Sequence, residues 1–289
     1  MTIYEFNVIS TTGFPYFSTQ IGPIPEGVKI FLRFFDFSQN KISTHEQIDL
    51  MSKFDLTAGL ISALYEFARN IDKKIEVLEF KPKKEENSSE SDKSKLKYIG
   101  DVLITTQTEP FLLHKSVYEK AKLIYKKIIS SKIPLDSANE ISKSEKQKII
   151  EILTDKEAKN LVANHKNKIK DNANDYLIEM RDYGLEGICI TSFDLSPILV
   201  FGKKYSLEKI NQILRHIGFI PEIAPLEWIY RQSFLANEQI QVCIIKSNIG
   251  PTVEDELFEP FFYLLFADPL SYFGEFPGKL TSSFNNILG

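Results

Sequence analysis

The residue types that most often carry chemistry are few in this sequence, and they do not fall at working distances from one another. Its two cysteines, Cys189 and Cys243, lie inside the apolar runs GICITSF and IQVCIIKS. A thiolate is disfavoured in such surroundings, so both read as reduced core thiols rather than nucleophiles or metal ligands. The four histidines, His45, His114, His165 and His216, are isolated, and H-E-x-x-H is absent. A Cys-His pair, for example Cys243 with His216, would have to be assembled in space. There is no G-x-x-x-x-G-K-[ST] phosphate loop, no G-x-G-x-x-G after a strand and no G-x-S-x-G elbow. Two acidic clusters stand out. Glu254-Asp255-Glu256 reads as favourable charge at a helix N-terminus, in a short turn over 253–257 capped by Thr252, and Glu85-Glu86 as solvated loop. The expectation is a chain that is not an enzyme, with no catalytic, cofactor-binding or metal-binding residues. An enzyme with a site assembled from scattered polar residues is the third of three functional readings.

Composition sets the frame for these residues. The chain has 289 residues, 43% hydrophobic and 26% charged, which is enough for two ordinary domains with their own cores. The net charge is -4 with both signs mixed along the chain, so no concentrated basic face for nucleic acid is expected. Phenylalanine is frequent, but it alternates with aliphatics rather than with basic residues, which favours core packing over base stacking. The stretch MTIYE has no basic region, and no segment approaches the ~20 apolar residues of a membrane span. A cytoplasmic location is expected from these features.

Periodicity supplies the elements. Residues 3–10 alternate as a strand, Thr11-Thr12-Gly13 turns the chain, and residues 14–21 return as a second strand. The aromatic run at residues 30–35 is open between strand and buried helix. A long helix ends near Ile71, starting at Thr44 or at Asp55. Residues 75–80, 96–100 and 102–106 are strand-like, with the charged, low-complexity loop 81–95 between the first two. Residues 116–129 form a helix with Val117, Ala121, Ile124 and Ile128 on one face. Residues 137–183 read helical, with capping pairs Ser137/Glu140 and Thr154/Glu157 and a stop at Gly184. Strands at 187–192 and 197–201, a helix from Ser206 to about Ile217, strands at 227–234, 239–246 and 261–266, and a helix at 279–288 complete the chain. Both halves therefore read strand, strand, helix, three strands, helix.

That order, carried by IYEFNVIS, PYFSTQIG, DLTAGLISALYEFARNI, IEVLEF, KLKYIG, DVLITTQT and SVYEKAKLIYKKII in the first half, resembles the longin domain and its relative, the roadblock fold. The second half carries it in GICITSF, PILVFG, SLEKINQILRHI, EWIYRQSF, IQVCIIKS, FFYLLF and KLTSSFNNIL. Residues 22–48 make a longer segment than a compact longin domain needs at that point. The resemblance implies an α/β (α+β) fold of two longin-like modules, each a five-stranded mainly antiparallel sheet with helices, joined by a helical connector. The corresponding spans are 1–133, 134–184 and 185–289. The resemblance also implies a cytosolic adaptor of vesicle trafficking that dimerises and binds a small GTPase, with peripheral membrane association through its partners and no catalytic residues.

One helix face adds an independent expectation. At roughly 100° per residue, Leu50, Phe54, Ala58, Ile61, Leu64, Tyr65 and Ala68 form one stripe, suited to lie on a sheet. Leu56, Leu60, Ala63 and Phe67 form a second stripe beside it, so the apolar arc spans about 240°, against the ~100° that a surface helix shows. One sheet does not cover both, which makes Leu56, Leu60, Ala63 and Phe67 the candidate protein interface unless the chain itself covers them. The corresponding helix of the second half has one ordinary stripe: Leu207, Ile210, Ile213, Leu214 and Ile217. The leading expectation is a scaffold that binds a small GTPase or another longin or roadblock protein. The alternative is a small-ligand sensor with a pocket between helix and sheet.

Overall fold

Strict alternation along the first strand buries Tyr4, Phe6 and Val8 while Glu5 and Asn7 stay half-exposed. The computed structural model describes residues 2–10, 15–37, 102–133 and 140–289, with 59, 62–64, 66 and 68–70. The chain falls into two compact units, Met1–Gln39 with Ile99–Gly289, and Asn40–Tyr98. In the second unit, the described residues between 59 and 70 are helical. The expected strands at 75–80 and 96–100 lie outside the described residues.

Among the described residues, the first unit holds two large antiparallel sheets and a small two-stranded one at residues 252–258. In the first, β1 (Ile3–Ser10) pairs with β2 (Pro15–Gln20) on one side and β4 (Val102–Thr108) on the other, and β3 (Phe31–Asp36) pairs with β4. The aromatic run is thus a strand, with Arg33 and Phe35 buried and Leu32 and Phe34 exposed. It comes before the region read as the first helix, and among the described residues it occupies the place next to β4. Helix α1 (His114–Ile124) continues into a π-helical turn, Tyr125–Ile129. Aromatic contacts join it to the β3 segment: Phe35 lies 5.8 Å from Tyr118, and Phe37 stacks on Tyr125 at 4.6 Å.

Among the described residues the connector is three helices where two starts were expected: α2 (Lys143–Leu153), α3 (Lys156–Asn164) and α4 (Lys166–Glu179). The capping box that starts α2 is Ser142 with Glu145, not Ser137 with Glu140: the Ser142 N–H donates to Glu145 Oε2 at 2.8 Å. Residue 137 lies outside the described residues. Thr154 closes α2 instead of opening α3, and Asp155 makes the elbow with φ 56°. Gly184, at φ 84°, ends the last helical turn as read.

The second sheet has the order β6-β5-β11-β8-β7. Its strands are β5 (Leu185–Thr191), β6 (Pro197–Phe201), β7 (Trp228–Leu235), β8 (Glu238–Lys246) and β11 (Phe262–Ala267). Ile188, Ile190, Cys243, Ile245, Tyr263 and Leu265 form one core with Ile169, Ala173 and Tyr176 of α4 and Phe284 of α6 (Phe276–Leu288). The alternate residues Cys189, Val242, Ile244, Leu264 and Phe266 are buried as well. Helix α5 (Leu207–Arg215), capped by Ser206, packs against β6 and β7, and Ser233 Oγ on β7 donates to the Ile213 carbonyl. Its stripe Ile210, Ile213, Leu214 and Ile217 is buried as expected, whereas Leu207 is exposed.

The acidic cluster at 254–256 is not a helical turn. It joins β9 (Thr252–Val253) to β10 (Leu257–Phe258) in a tight hairpin, with Glu254 and Asp255 both at positive φ. Gly250 packs beside this hairpin, where a Cβ would stand 1.9 Å from the Glu259 carbonyl oxygen. Gly250→Ala is therefore expected to lower stability by roughly 1–3 kcal/mol through overpacking. Urea unfolding checks this, as a lower midpoint at an unchanged slope.

Candidate functional site

Four charged side chains, those of Lys120, Asp155, Asp194 and Glu259, lie buried close to one another. Lys120 lies on α1 within the apolar stripe, three residues after Val117 and four before Ile124, and it is fully buried. Its Nζ donates to Asp194 Oδ2 at 2.5 Å and to Asp155 Oδ1. Asp155 is the elbow between α2 and α3. Asp194 is in the turn between β5 and β6, where its other oxygen accepts from Ser192 Oγ at 2.8 Å and from the Ser196 N–H at 2.9 Å. The fourth group, Glu259, follows β10 directly. It is buried, and neither carboxylate oxygen has a hydrogen-bond partner among the described residues.

Secondary contacts hold these elements in place. The Leu113 N–H donates to the Asp194 carbonyl at 3.2 Å, and Ser116 Oγ donates to the Phe193 carbonyl at 2.9 Å. The N-terminus of α1 is thereby seated on the β5–β6 turn. Thr2 and Ser196 share a hydroxyl hydrogen bond of 2.5 Å. At the end of β4, the buried Glu109 accepts from Tyr4 Oη at 2.5 Å and from Arg215 of α5 through both oxygens, at 2.6 and 2.9 Å. Arg33 on β3 is buried and donates to Thr108 Oγ1 at 2.8 Å and to the Leu112 carbonyl at 2.7 Å. Burial lowers its pKa to about 10, with the Asp194 charge pulling the other way.

Electrostatics assign each group its state. Burial disfavours the Lys120 ammonium, but Asp155 and Asp194 overrule it and push the pKa well above the ordinary lysine value. Burial also works against the Asp194 carboxylate, yet Lys120 and Ser196 hold its pKa below the ordinary value. Asp155 rises to about 6, through burial first and the Asp194 charge second, against Lys120. Glu259 rises to about 8, chiefly by burial. A locked ammonium is neither a base nor a nucleophile, so the cluster suits holding rather than catalysis.

Two cavities border the cluster. One of about 70 Å³ lies by Thr2, Ser196 and Asp155, and one of about 230 Å³ lies between α2, α3 and the β9–β10 hairpin, lined by Asp155 and Glu259 among others. Among the described residues, no three His, Cys, Asp or Glu side chains are placed to hold a metal ion. No helix among them is long and apolar enough to cross a membrane.

Of the expected interface residues, Leu56, Leu60 and Phe67 lie outside the described residues, and Ala63 is exposed. Cys189 and Cys243 are free and buried, and burial pushes the Cys243 thiol up to about 12. His114 accompanies Arg33 rather than any thiol, with Nδ1 at 3.3 Å from Nη1. The expectation from sequence passed over Lys120, Asp155, Asp194 and Glu259. Two signals for them are present: a lysine inside an otherwise apolar helical stripe, and a glutamate inside the run LFEPFFYLLF. Asp194 and Asp155 give no such signal, because a turn aspartate and a helix-end aspartate are ordinary surface features.

Removing the ammonium strands carboxylates in the interior. Lys120→Ala is expected to destabilise the chain by about 3–5 kcal/mol. Adding Asp155→Asn and Asp194→Asn to Lys120→Met should recover a substantial part of the loss, since no unpaired charge then remains. Denaturant unfolding of the three proteins checks both; a Lys120→Ala loss under about 1 kcal/mol would show that the cluster is not under constraint.

Compared with known proteins, this chain matches no family model and no curated sequence.

Proposed function

We propose that this chain is a non-enzymatic, protein-binding scaffold resembling the longin-domain adaptors of membrane traffic, with a small GTPase or another longin or roadblock protein as partner. The observation that carries the reading is the free edge of the second sheet. Strand β7 ends the order β6-β5-β11-β8-β7, so one side of its backbone has no strand neighbour among the described residues. Exposed apolar side chains frame it: Phe219 at 83%, Leu270 at 97% and Tyr272 at 79% exposure. Arg231 Nε donates to the Phe219 carbonyl and Gln232 Nε2 to the Pro269 carbonyl, both at 3.3 Å, which keeps these loops beside the strand. Natural sheets blunt a long edge of this kind unless something adds to it. Strand addition supplies main-chain hydrogen bonds, and the flanking aromatics supply buried area. The element order of the second half, two strands, a helix, three long strands and a helix, also supports the resemblance.

A small-ligand sensor is the second reading, favoured by the cavity of about 230 Å³ between the connector helices and the hairpin. Thermal shift against a metabolite panel separates the two, since a ligand that binds only the native state raises the melting temperature. The scaffold reading is tested by pull-down against small GTPases in both nucleotide states. The wild-type chain should be captured in at least one state. Phe219→Asp with Leu270→Asp, or Leu60→Asp with Phe67→Asp, should weaken capture by tenfold or more, about 1.4 kcal/mol per decade. A folded chain that captures nothing in either state rules the reading out.

A further inference from the structure

The charge balance of the buried cluster leaves one group without a part in holding the joint. Lys120 brings one positive charge, while Asp155, Asp194 and Glu259 bring up to three negative ones. The two aspartates take the contacts on the ammonium. Glu259 has no donor on either oxygen among the described residues and is 1% exposed. An unpaired carboxylate in such a place is far more costly than the neutral acid. Lys120 faces it from α1 and favours ionisation. Asp155 from the α2–α3 elbow and Asp194 from the β5–β6 turn oppose it. Further out along the cavity, Lys148 is paired with Glu254 at 2.6 Å and Lys156 with Glu151 at 2.5 Å, and Glu157 adds a further negative charge. The nearby lysines are thus committed elsewhere.

We propose that Glu259 is a proton-operated latch: as the neutral acid it lets the β9–β10 hairpin close over the α2–α3 elbow, and as the carboxylate it drives that hairpin open toward water. Three features place the effect in the hairpin. Glu259 follows β10 without a gap, and its N–H donates to the Pro251 carbonyl at 2.9 Å, closing the base of the hairpin. The hairpin has two strands of two residues each. Its outer attachments are surface ion pairs, from Glu254 to Lys148 and from Glu256 to Lys126 and Lys127, and such pairs hold weakly. The cavity of about 230 Å³ lies between this hairpin and the elbow, with Glu259 in its wall, and gives water a route to the acid.

The pH window follows from the direction of the shift. Burial, helped by the two aspartates and opposed by Lys120, raises Glu259 from an ordinary 4.5 to about 8. The closed form therefore holds a proton that the opened form releases. Its stabilisation is present in full below about 4.5 and is lost as pH rises through about 8. Asp155, raised to about 6, contributes with the same sign over a lower window. The latch does not depend on what the chain binds.

The test uses the full chain, labelled with ¹³C at glutamate side-chain carboxyls, with Glu259→Gln identifying the resonance. The Glu259 signal is expected to titrate near pH 8. Amide exchange across residues 252–258, corrected for its intrinsic pH dependence, is expected to quicken about tenfold per pH unit from about pH 6 up to that midpoint and to level off above it, as one released proton requires. Glu259→Gln should leave corrected exchange flat from pH 6 to pH 9. Titration at the ordinary glutamate value overturns the proposal, and so does a high midpoint with flat hairpin exchange in the wild type. Should Glu259→Gln fail to fold, wild-type hairpin exchange against pH decides alone: a rise that levels off near pH 8 supports the latch, and a flat profile overturns it.

Discussion

An ammonium group without access to water fixes where the elements of the first unit stand. Lys120 reaches Asp194 and Asp155, which belong to the turn of a β-hairpin and to a helix elbow far apart in sequence. Desolvating such charges costs on the order of several kcal/mol per ion, and the attraction between them repays it only when the geometry is good. Asp194 meets that condition because its second oxygen is already satisfied by Ser192 and Ser196. The turn therefore presents one oxygen in one direction. Apolar side chains at these positions would pack across a range of offsets, whereas an ammonium between two carboxylates tolerates almost none. The cluster contributes position more than net stability.

The first sheet takes its place from that arrangement. Helix α1 carries Lys120 on one face and Tyr118 on another, and Tyr118 receives Phe35 from β3. A second polar tie secures the far end, where Glu109 draws together Tyr4 of β1 and Arg215 of α5. With Thr2 bound to Ser196, the first sheet is attached at its first strand, at the end of β4 and through its helix. Each tie joins a group near a strand end to a turn or a helix. Such positions have backbone donors and acceptors to spare, so buried side chains find partners there.

The division between what was legible in the sequence and what was not follows this physics. A strand with one alternating face, such as Ile3–Ser10, could be read because side-chain period reports burial directly. In the second half the long strands and helices were read to within a few residues from short apolar runs bounded by turn residues, whereas the β9–β10 hairpin was read as a helical turn. The aromatic run at β3 stayed ambiguous because so short and mostly apolar a stretch does not separate strand from buried helix by its period, and its pairing with β4 makes it a strand. The connector was read as helical, but its breaks were misplaced. Asp155 adopts a left-handed conformation that a long-range contact with Lys120 stabilises, and local propensity carries no trace of that contact. The buried cluster failed to appear for the same reason: three of its four members become partners only after the chain folds.

The two sheets also offer different surfaces to a partner. In the second, both faces are occupied, one by α4 and α6 and the other by α5, and its core positions are buried on alternate sides of each central strand. Nothing can be added to those faces without displacing a helix, and displacing one exposes several side chains at ~1.5–3 kcal/mol each. On the scaffold reading, that leaves the edges β6 and β7, of which β7 is the one flanked by Phe219, Leu270 and Tyr272. A helix face, the feature singled out from the sequence at Leu56, Leu60, Ala63 and Phe67, is a different kind of surface. It offers buried apolar area but no main-chain hydrogen bonds, whereas an edge strand offers both. Partner selection at a helix face rests on shape and apolar contact. At β7 it begins with the requirement that the partner supply an extended segment, and Phe219, Leu270 and Tyr272 then select among the segments that meet it.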